Sequence, residues 1–198
     1  MTIRGKKVVL RALEHEDLSK LRDWRNSPDI RLRTREYRLL NMPNQEEWFQ
    51  SLLEKPPENI MFGIMEIEKE ELIGVCGLAH IDWVNRSAEI SIYIGERKYR
   101  DKGLGSESID LLLNYAFDTL NLHRIWAEVY VLPKGYGVPG RLFLDCKFKL
   151  DGTLRHTVFR LGKYHDSEFY SILKDEWERT VDQKSHIQSQ KANRSKPL

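Results

Sequence analysis

Cysteine is nearly absent from this 198-residue chain. Cys76 and Cys146 form no CxxC pair, so neither a disulfide framework nor a cysteine-based zinc site is expected. The six histidines (His15, His80, His123, His156, His165, His186) are scattered without metal-ligand spacing, and no metal is expected. No apolar run has the length of a membrane span, and Met1–Lys7 lacks the apolar core of a signal peptide. Neither sign of charge dominates. Lys and Arg number 32 against 30 Asp and Glu, a net charge of +2, which is no nucleic-acid footprint. Internal repeats are missing too. Together these absences point to a reduced, cytoplasmic protein with neither a membrane nor a nucleic acid as partner. The rest of the composition, 40% hydrophobic and 31% charged, suits one globular domain with a sizeable core.

The apolar pattern divides the chain into alternating strands and helices. Val8-Val9-Leu10 reads as a strand and Leu18–Trp24 as a helix that stops at Asn26-Ser27-Pro28. Asn44 and Glu47 have the spacing of a capping box for a helix carrying Trp48, Phe49, Leu52 and Leu53, which Pro56-Pro57 ends. Three strand-like runs, Ile60–Ile67, Leu72–Ile81 and Ala88–Ile94, have turns at Lys69–Glu71 and Trp83–Arg86 and read as an antiparallel meander. Over Gly105–Leu120 the positions Ile109, Leu112, Leu113, Ala116, Phe117 and Leu120 form one helical stripe. A strand at Arg124–Val131 completes a βαβ unit. Arg141–Phe148 suggests a short helix, and strands near Thr153–Leu161 and Glu168–Leu173 suggest a hairpin around Gly162–Ser167. Thr180–Leu198 is polar and reads as a disordered tail behind a domain spanning 1–179.

The chemistry concentrates between Ile92 and Ser106, where a strand ends, a loop holds Arg100, Lys102 and two glycines, and the long amphipathic helix begins. Such a loop aims free backbone N–H groups and a helix N-terminus at one point, which suits a phosphate. No Walker Gly-Lys-Ser/Thr follows and the GxGxxG of dinucleotide folds is absent, so taken alone the loop is more often than not a helix start with convenient glycines.

Arg100-x-x-Gly103-x-Gly105 resembles the R/Q-x-x-G-x-G/A signature of the GNAT acetyltransferases, in the same place between strand and helix. The resemblance runs from about Lys7 to Trp177. It includes Leu10-Arg11-Ala12, Ile73-Gly74, His123–Val129 and Asp151–Arg155, and it looks closest to the branch that acetylates ribosomal-protein N-termini and amino sugars. It implies an α+β fold: a mixed, mostly antiparallel twisted sheet flanked by helices, with a βαβ unit for acetyl-CoA. It further implies that Arg100, Asp101, Lys102, Gly103, Leu104 and Gly105 hold the CoA pyrophosphate. Ile92, Tyr93 and Ile94 would offer backbone groups to the pantetheine, with a bulge in that strand supplying an oxyanion donor.

Transfer from a thioester to an amine needs proximity, a base and an oxyanion donor. Glu89 is the first candidate base and Glu128 the second; a charged residue on a solvent face is the plainer reading of Glu89. The tyrosine that family members use as acid aligns with Phe143, which cannot donate a proton, so Tyr136 or Tyr130 is the substitute candidate. Arg22, Arg25, Arg31, Arg33, Arg35 and Arg38 form either a solvated face or an anion-facing patch. With the tryptophans, they resemble the acceptor wall of nucleotide-amino-sugar acetyltransferases. Trp24, Arg31, Arg33 and Trp48 are accordingly expected to bind a small, anionic amine acceptor. The alternatives are a ribosomal-protein N-terminus or a non-catalytic acyl-CoA-binding module. A polyamine would favour carboxylates, of which this stretch has few. The oligomeric state is left open, a homodimer included.

Overall fold

The computed structural model describes residues 2–133 and 140–182. Eight strands form one sheet in the order β1-β2-β3-β4-β5-β6-β8-β7: β1 Thr2–Arg4, β2 Val8–Ala12, β3 Ile60–Glu66, β4 Glu71–Asp82, β5 Ser87–Ile94, β6 Arg124–Tyr130, β7 Lys149–Arg160 and β8 Lys163–Leu173. Every neighbouring pair is antiparallel except β5–β6, the parallel pair that the βαβ crossover creates. The fold is the expected mixed sheet flanked by helices.

Period-two alternation gives the sheet its two faces. On β6, Ile125, Ala127 and Val129 join a core beneath helix α4 (Leu104–Asn114), while Trp126 and Glu128 point to the other face. On β5, Ala88 and Ile90 enter that same core, so Glu89 and Tyr93 share the face of Trp126 and Glu128. Helix α4 buries Leu104, Ile109, Leu112 and Leu113, and a π-turn over Tyr115–Thr119 carries the stripe on through Ala116 and Phe117. The opposite face is covered by α1 (Leu18–Asn26), α2 (Pro28–Arg31) and α3 (Met42–Ser51). Leu21, Trp24 and Ile30 pack there on Leu72 and Val75, with Trp48 and Phe49 at the margin.

Local chemistry moved several boundaries. Helix α1 does stop at Asn26, and Pro28 occupies the first turn of α2, where a missing N–H costs no hydrogen bond. The capping box of α3 lies three residues before the expected one: Asn41 accepts from the Asn44 N–H at 3.0 Å, and Asn44 answers at Asn41 N–H. Leu52 and Leu53 therefore fall beyond the helix. The β7–β8 hairpin turns at Leu161-Gly162, with φ of 53° and 78°, so most of the expected loop Gly162–Ser167 is strand. β1 was missed because three residues carry no period. Arg141–Asp145 is helix α5. A last helix, α6, spans 174–182. Its Trp177 packs on Phe117 with ring centroids 5.3 Å apart, so residues 180–182 of the expected tail are helical and the remainder lies outside the described residues.

Gly95, just past β5, lies flat against the Trp24 indole, and a Cβ there would overlap the ring. Gly95→Ala is therefore expected to destabilise the fold by roughly 1–3 kcal/mol, the usual cost of overpacking. Gly152→Ala, whose Cβ meets open space, should change stability by less than about 0.5 kcal/mol. Denaturant midpoints of the two variants against the parent check this.

Candidate active site

β5 and β6 pair only over Ser87–Glu89 and Arg124–Trp126, and beyond Glu89 they part. The parting leaves one edge of β5 without a strand partner. Gly95 N–H donates to Ile73 O at 2.9 Å across β4, so by alternation the backbone groups of Ile94, Ile92 and Ile90 face the opening. Tyr93, opposite Val75, turns its backbone to β4 instead, which removes it from the expected pantetheine contacts. The expected bulge in β5 is not there. The irregularity lies in β4, where His80 and Ile81 stand between the Ala79–Glu89 and Asp82–Ser87 pairs. His80 adopts φ of 49° at that point, and its Nε2 lies 3.7 Å from Glu89 Oε2.

At the far end of β5 the chain turns through Arg97–Tyr99 into the glycine loop. Gly103 takes φ of 78° as the residue that precedes α4, and Cβ atoms built at Gly103 and Gly105 meet nothing within 4 Å. The first N–H groups of α4 have no intrahelical acceptor and open onto that space. This open space fits a diphosphate, which such amides bind with help from the helix dipole. The Arg100 side chain has a different task from the expected one. Its guanidinium donates to Ile94 O at 2.8 Å and Gly95 O at 3.2 Å and pairs with Asp29, so any contact to pyrophosphate falls to its backbone. Burial opposes ionisation of Asp29, but the hydrogen bonds of Arg100, Ser27 and Arg97 and the charge of Arg100 hold its carboxyl well below the usual range.

The other end of the opening carries the acids. Glu89 is only 7% exposed and Glu128 lies across the gap on β6. A single guanidinium joins them: Arg35 Nη1 donates to Glu89 Oε2 and Arg35 Nη2 to Glu128 Oε2, each at 2.6 Å. Burial would lower the Arg35 pKa, but the Glu89 hydrogen bond and the charges of Glu89 and Glu128 raise it above its ordinary value. Beside them a cavity of about 340 Å³ is lined by Arg35, Glu128, Tyr130, Val158, Phe159 and Arg160, among others. Arg160 lies over the Tyr130 ring at 5.6 Å. Burial, then the Glu128 charge, pushes the Tyr130 hydroxyl up, so it stays protonated and able to donate.

The model of the acetyltransferase (GNAT) domain matches residues 7–131, the span that holds the opening, the loop and both acids. The chain belongs to the GNAT acetyltransferase family. As a GNAT enzyme it transfers acetyl from acetyl-CoA to an amine. The spermidine N(1)-acetyltransferase of Vibrio cholerae is 30% identical over 171 residues, 86% of this chain and 95% of that protein. An uncharacterized N-acetyltransferase, p20, of Bacillus licheniformis is 29% identical over 179 residues, 89% of this chain and 98% of that one. The crystal structure of the Vibrio cholerae spermidine N-acetyltransferase in complex with CoA and spermine superposes with a TM-score of 0.78 at 28% identity, covering 87% of this chain and 99% of that one.

Placed in the GNAT frame, the expected acceptor residues divide. Trp24 is 8% exposed and fills the core against Gly95 and Tyr93, where it supports the wall of the site and has no free face to stack on a ligand. Trp48 carries Arg25 over its ring at 5.2 Å. Arg31 reaches Tyr37 O at 3.4 Å, and Arg33 lies near Arg100 and Asp29. Arg22 pairs with Asp23 and Arg38 with Glu36. The arginine-rich stretch is thus largely engaged within the protein, and its expected anionic acceptor finds no support in relatives named for spermidine. Tyr136 lies outside the described residues. Phe143 is buried, stacked on Tyr170 at 6.1 Å. Asp29 and Arg35 were missed as site residues, since no local pattern marks an acid or base whose partner lies 54 to 93 residues away.

Two predictions follow from the loop. The Gly105 Cβ position is open and helical, so Gly105→Leu should fold at least as well as the parent yet raise the acetyl-CoA KM about tenfold or more, by filling the space above the amides. An unchanged acetyl-CoA KM contradicts this. Asp29 titrates below its ordinary 3.8 when folded, so its stabilisation is present above that value and is lost as pH falls through the lower folded one. The melting-temperature gap between parent and Asp29→Asn should therefore shrink from about pH 6 to about pH 3; a constant gap contradicts it.

Proposed function

We propose that the acceptor is a cationic primary amine of polyamine type, received between Glu89 and Glu128, and that Glu89 takes its proton. One observation carries this reading: two carboxylates on facing edges of the opening already hold one cation between them, each at 2.6 Å. Glu89 takes one proton from the ammonium, the neutral nitrogen then attacks the thioester carbonyl carbon, and the carbon–sulfur bond breaks as the tetrahedral intermediate collapses. Tyr130, which stands at the end of β6 beside Glu128, gives its proton to the leaving thiolate and regains one from the second proton that the nitrogen sheds on becoming the amide. The edge formed by Ile90, Ile92 and Ile94 offers the N–H groups for the oxyanion. His80, with its side chain 61% exposed, gives the proton a route to solvent. The buried side chains of Cys76 and Cys146 suit a reduced cytoplasm.

A nucleotide-linked amino sugar, suggested by the arginines, would need several guanidinium groups directed at a diphosphate. Arg22, Arg31, Arg35 and Arg38 instead hold protein oxygens, which favours the cationic acceptor. The purified enzyme is to be assayed for CoA release with acetyl-CoA and, in turn, spermidine, a nucleotide amino sugar and an N-terminal peptide. Turnover with spermidine at the highest kcat/KM is expected, and preference for the nucleotide sugar overturns the reading. Glu89→Gln should lower kcat about 10²–10⁴-fold with acetyl-CoA binding intact, and recover in part at high pH where the amine arrives neutral. Near-parental kcat across pH would remove Glu89 as base.

A further inference from the structure

We infer that Arg35 occupies the acceptor's ammonium position and that the acceptor must displace it, so that Arg35 sets which amines enter. The inference rests on the proposed role of Glu89 and Glu128. The geometry leaves little choice. Glu89 Oε2, the oxygen offered to a substrate proton, already accepts from Arg35 Nη1, and Glu128 Oε2 accepts from Nη2 of the same fork. An ammonium approaching either oxygen while the guanidinium stays would meet a like charge at close range.

The segment that carries Arg35 is built to move without disturbing the core. Residues 32–41 link α2 to α3, and the link is held at its ends. Ile30 is buried at one end, and at the other Leu40 exchanges two hydrogen bonds with the Asn26 side chain, both 2.8 Å. Between these anchors Tyr37 and Leu39 are exposed, and the Arg35 side chain is 48% exposed despite its two ion pairs. The middle of the link is tied inward by Arg35 itself, by Arg160, whose Nη2 donates to Thr34 O at 2.9 Å, and by Arg31, whose Nη1 makes a long bond of 3.4 Å to Tyr37 O. A half-exposed guanidinium exchanges readily for another cation, because water takes over its N–H groups as they leave.

Displacement selects by charge. The fork satisfies two carboxylates at once, so a competitor must bring donors to both. A chain with two or more ammonium groups does so, one at Glu89 and another at Glu128 or in the adjoining cavity. A simple monoamine meets one acid and leaves the other without a partner, which is unfavourable beside the nearly buried Glu89. Arg35 then discriminates against monoamines, and the enzyme reserves its base for polycations.

The test is Arg35→Gln, which keeps a polar stem and removes the charge and the fork. If the closed arrangement dominates, the acceptor KM should fall about tenfold, because the apparent constant carries the fraction of enzyme that is open. The KM for acetyl-CoA should not move, and the kcat/KM preference for spermidine over butylamine should narrow. Calorimetry of spermidine binding to the CoA-loaded variant should likewise show about tenfold tighter binding. A raised spermidine KM, or unaltered KM and preference in a variant with parental melting temperature, overturns the inference. Failure of the underlying reading looks different: the parent itself would prefer an anionic acceptor, and Arg35→Gln would raise that acceptor's KM.

Discussion

The active site depends on a parallel strand pair that stops after three residues. β5 and β6 are hydrogen-bonded from Ser87 to Glu89, and past that point neither strand has the other to satisfy its inner edge. Buried backbone groups without partners are costly, so such an edge calls for a ligand or water that completes it. The extended pantetheine arm of acetyl-CoA suits it. The parting also sets the acids, because Glu89 is the last residue of the paired segment and Glu128 lies two residues beyond its register partner Trp126. One break in a ladder therefore creates the slot proposed for the donor and the two walls proposed for the acceptor.

A single stretch of chain touches both ends of that slot. Asp29, in α2, pairs with Arg100, which in turn holds the carbonyls of Ile94 and Gly95 at the entry to the glycine loop. Six residues later Arg35 holds the carboxylates at the other end. Trp24, one helix earlier, is pressed on Gly95 and fixes the end of β5 from below. The N-terminal helices thus brace the geometry of the slot and carry the group that closes it. The side chains expected to meet an acceptor directly are mostly part of that bracing.

The elements were readable wherever periodicity was strong. The stripe from Ile109 to Leu120 and the strand-like runs of β4 to β6 correspond to the observed α4 and sheet. The loop Arg100–Gly105 was legible because its glycines carry a backbone requirement: Gly103 does adopt a left-handed φ of 78°. Glu89 was a candidate from its place on the strand that leads into that loop, and the structure adds its pairing with Arg35. Pairings were not legible. The bulge sits in β4 at His80 rather than in β5, since only the register between two strands decides which of them holds the extra residue. Arg35 looked like any other member of a basic stretch. Its distinction comes from partners at Glu89 and Glu128, which no local pattern announces.

The most direct measurement is a crystal structure of the enzyme with CoA and spermidine bound together. The account predicts the CoA thiol between the parted ends of β5 and β6, an amine nitrogen of spermidine within hydrogen-bonding distance of Glu89, and Arg35 turned away from both carboxylates. Spermidine seated elsewhere, with Arg35 still bridging Glu89 and Glu128, would contradict it.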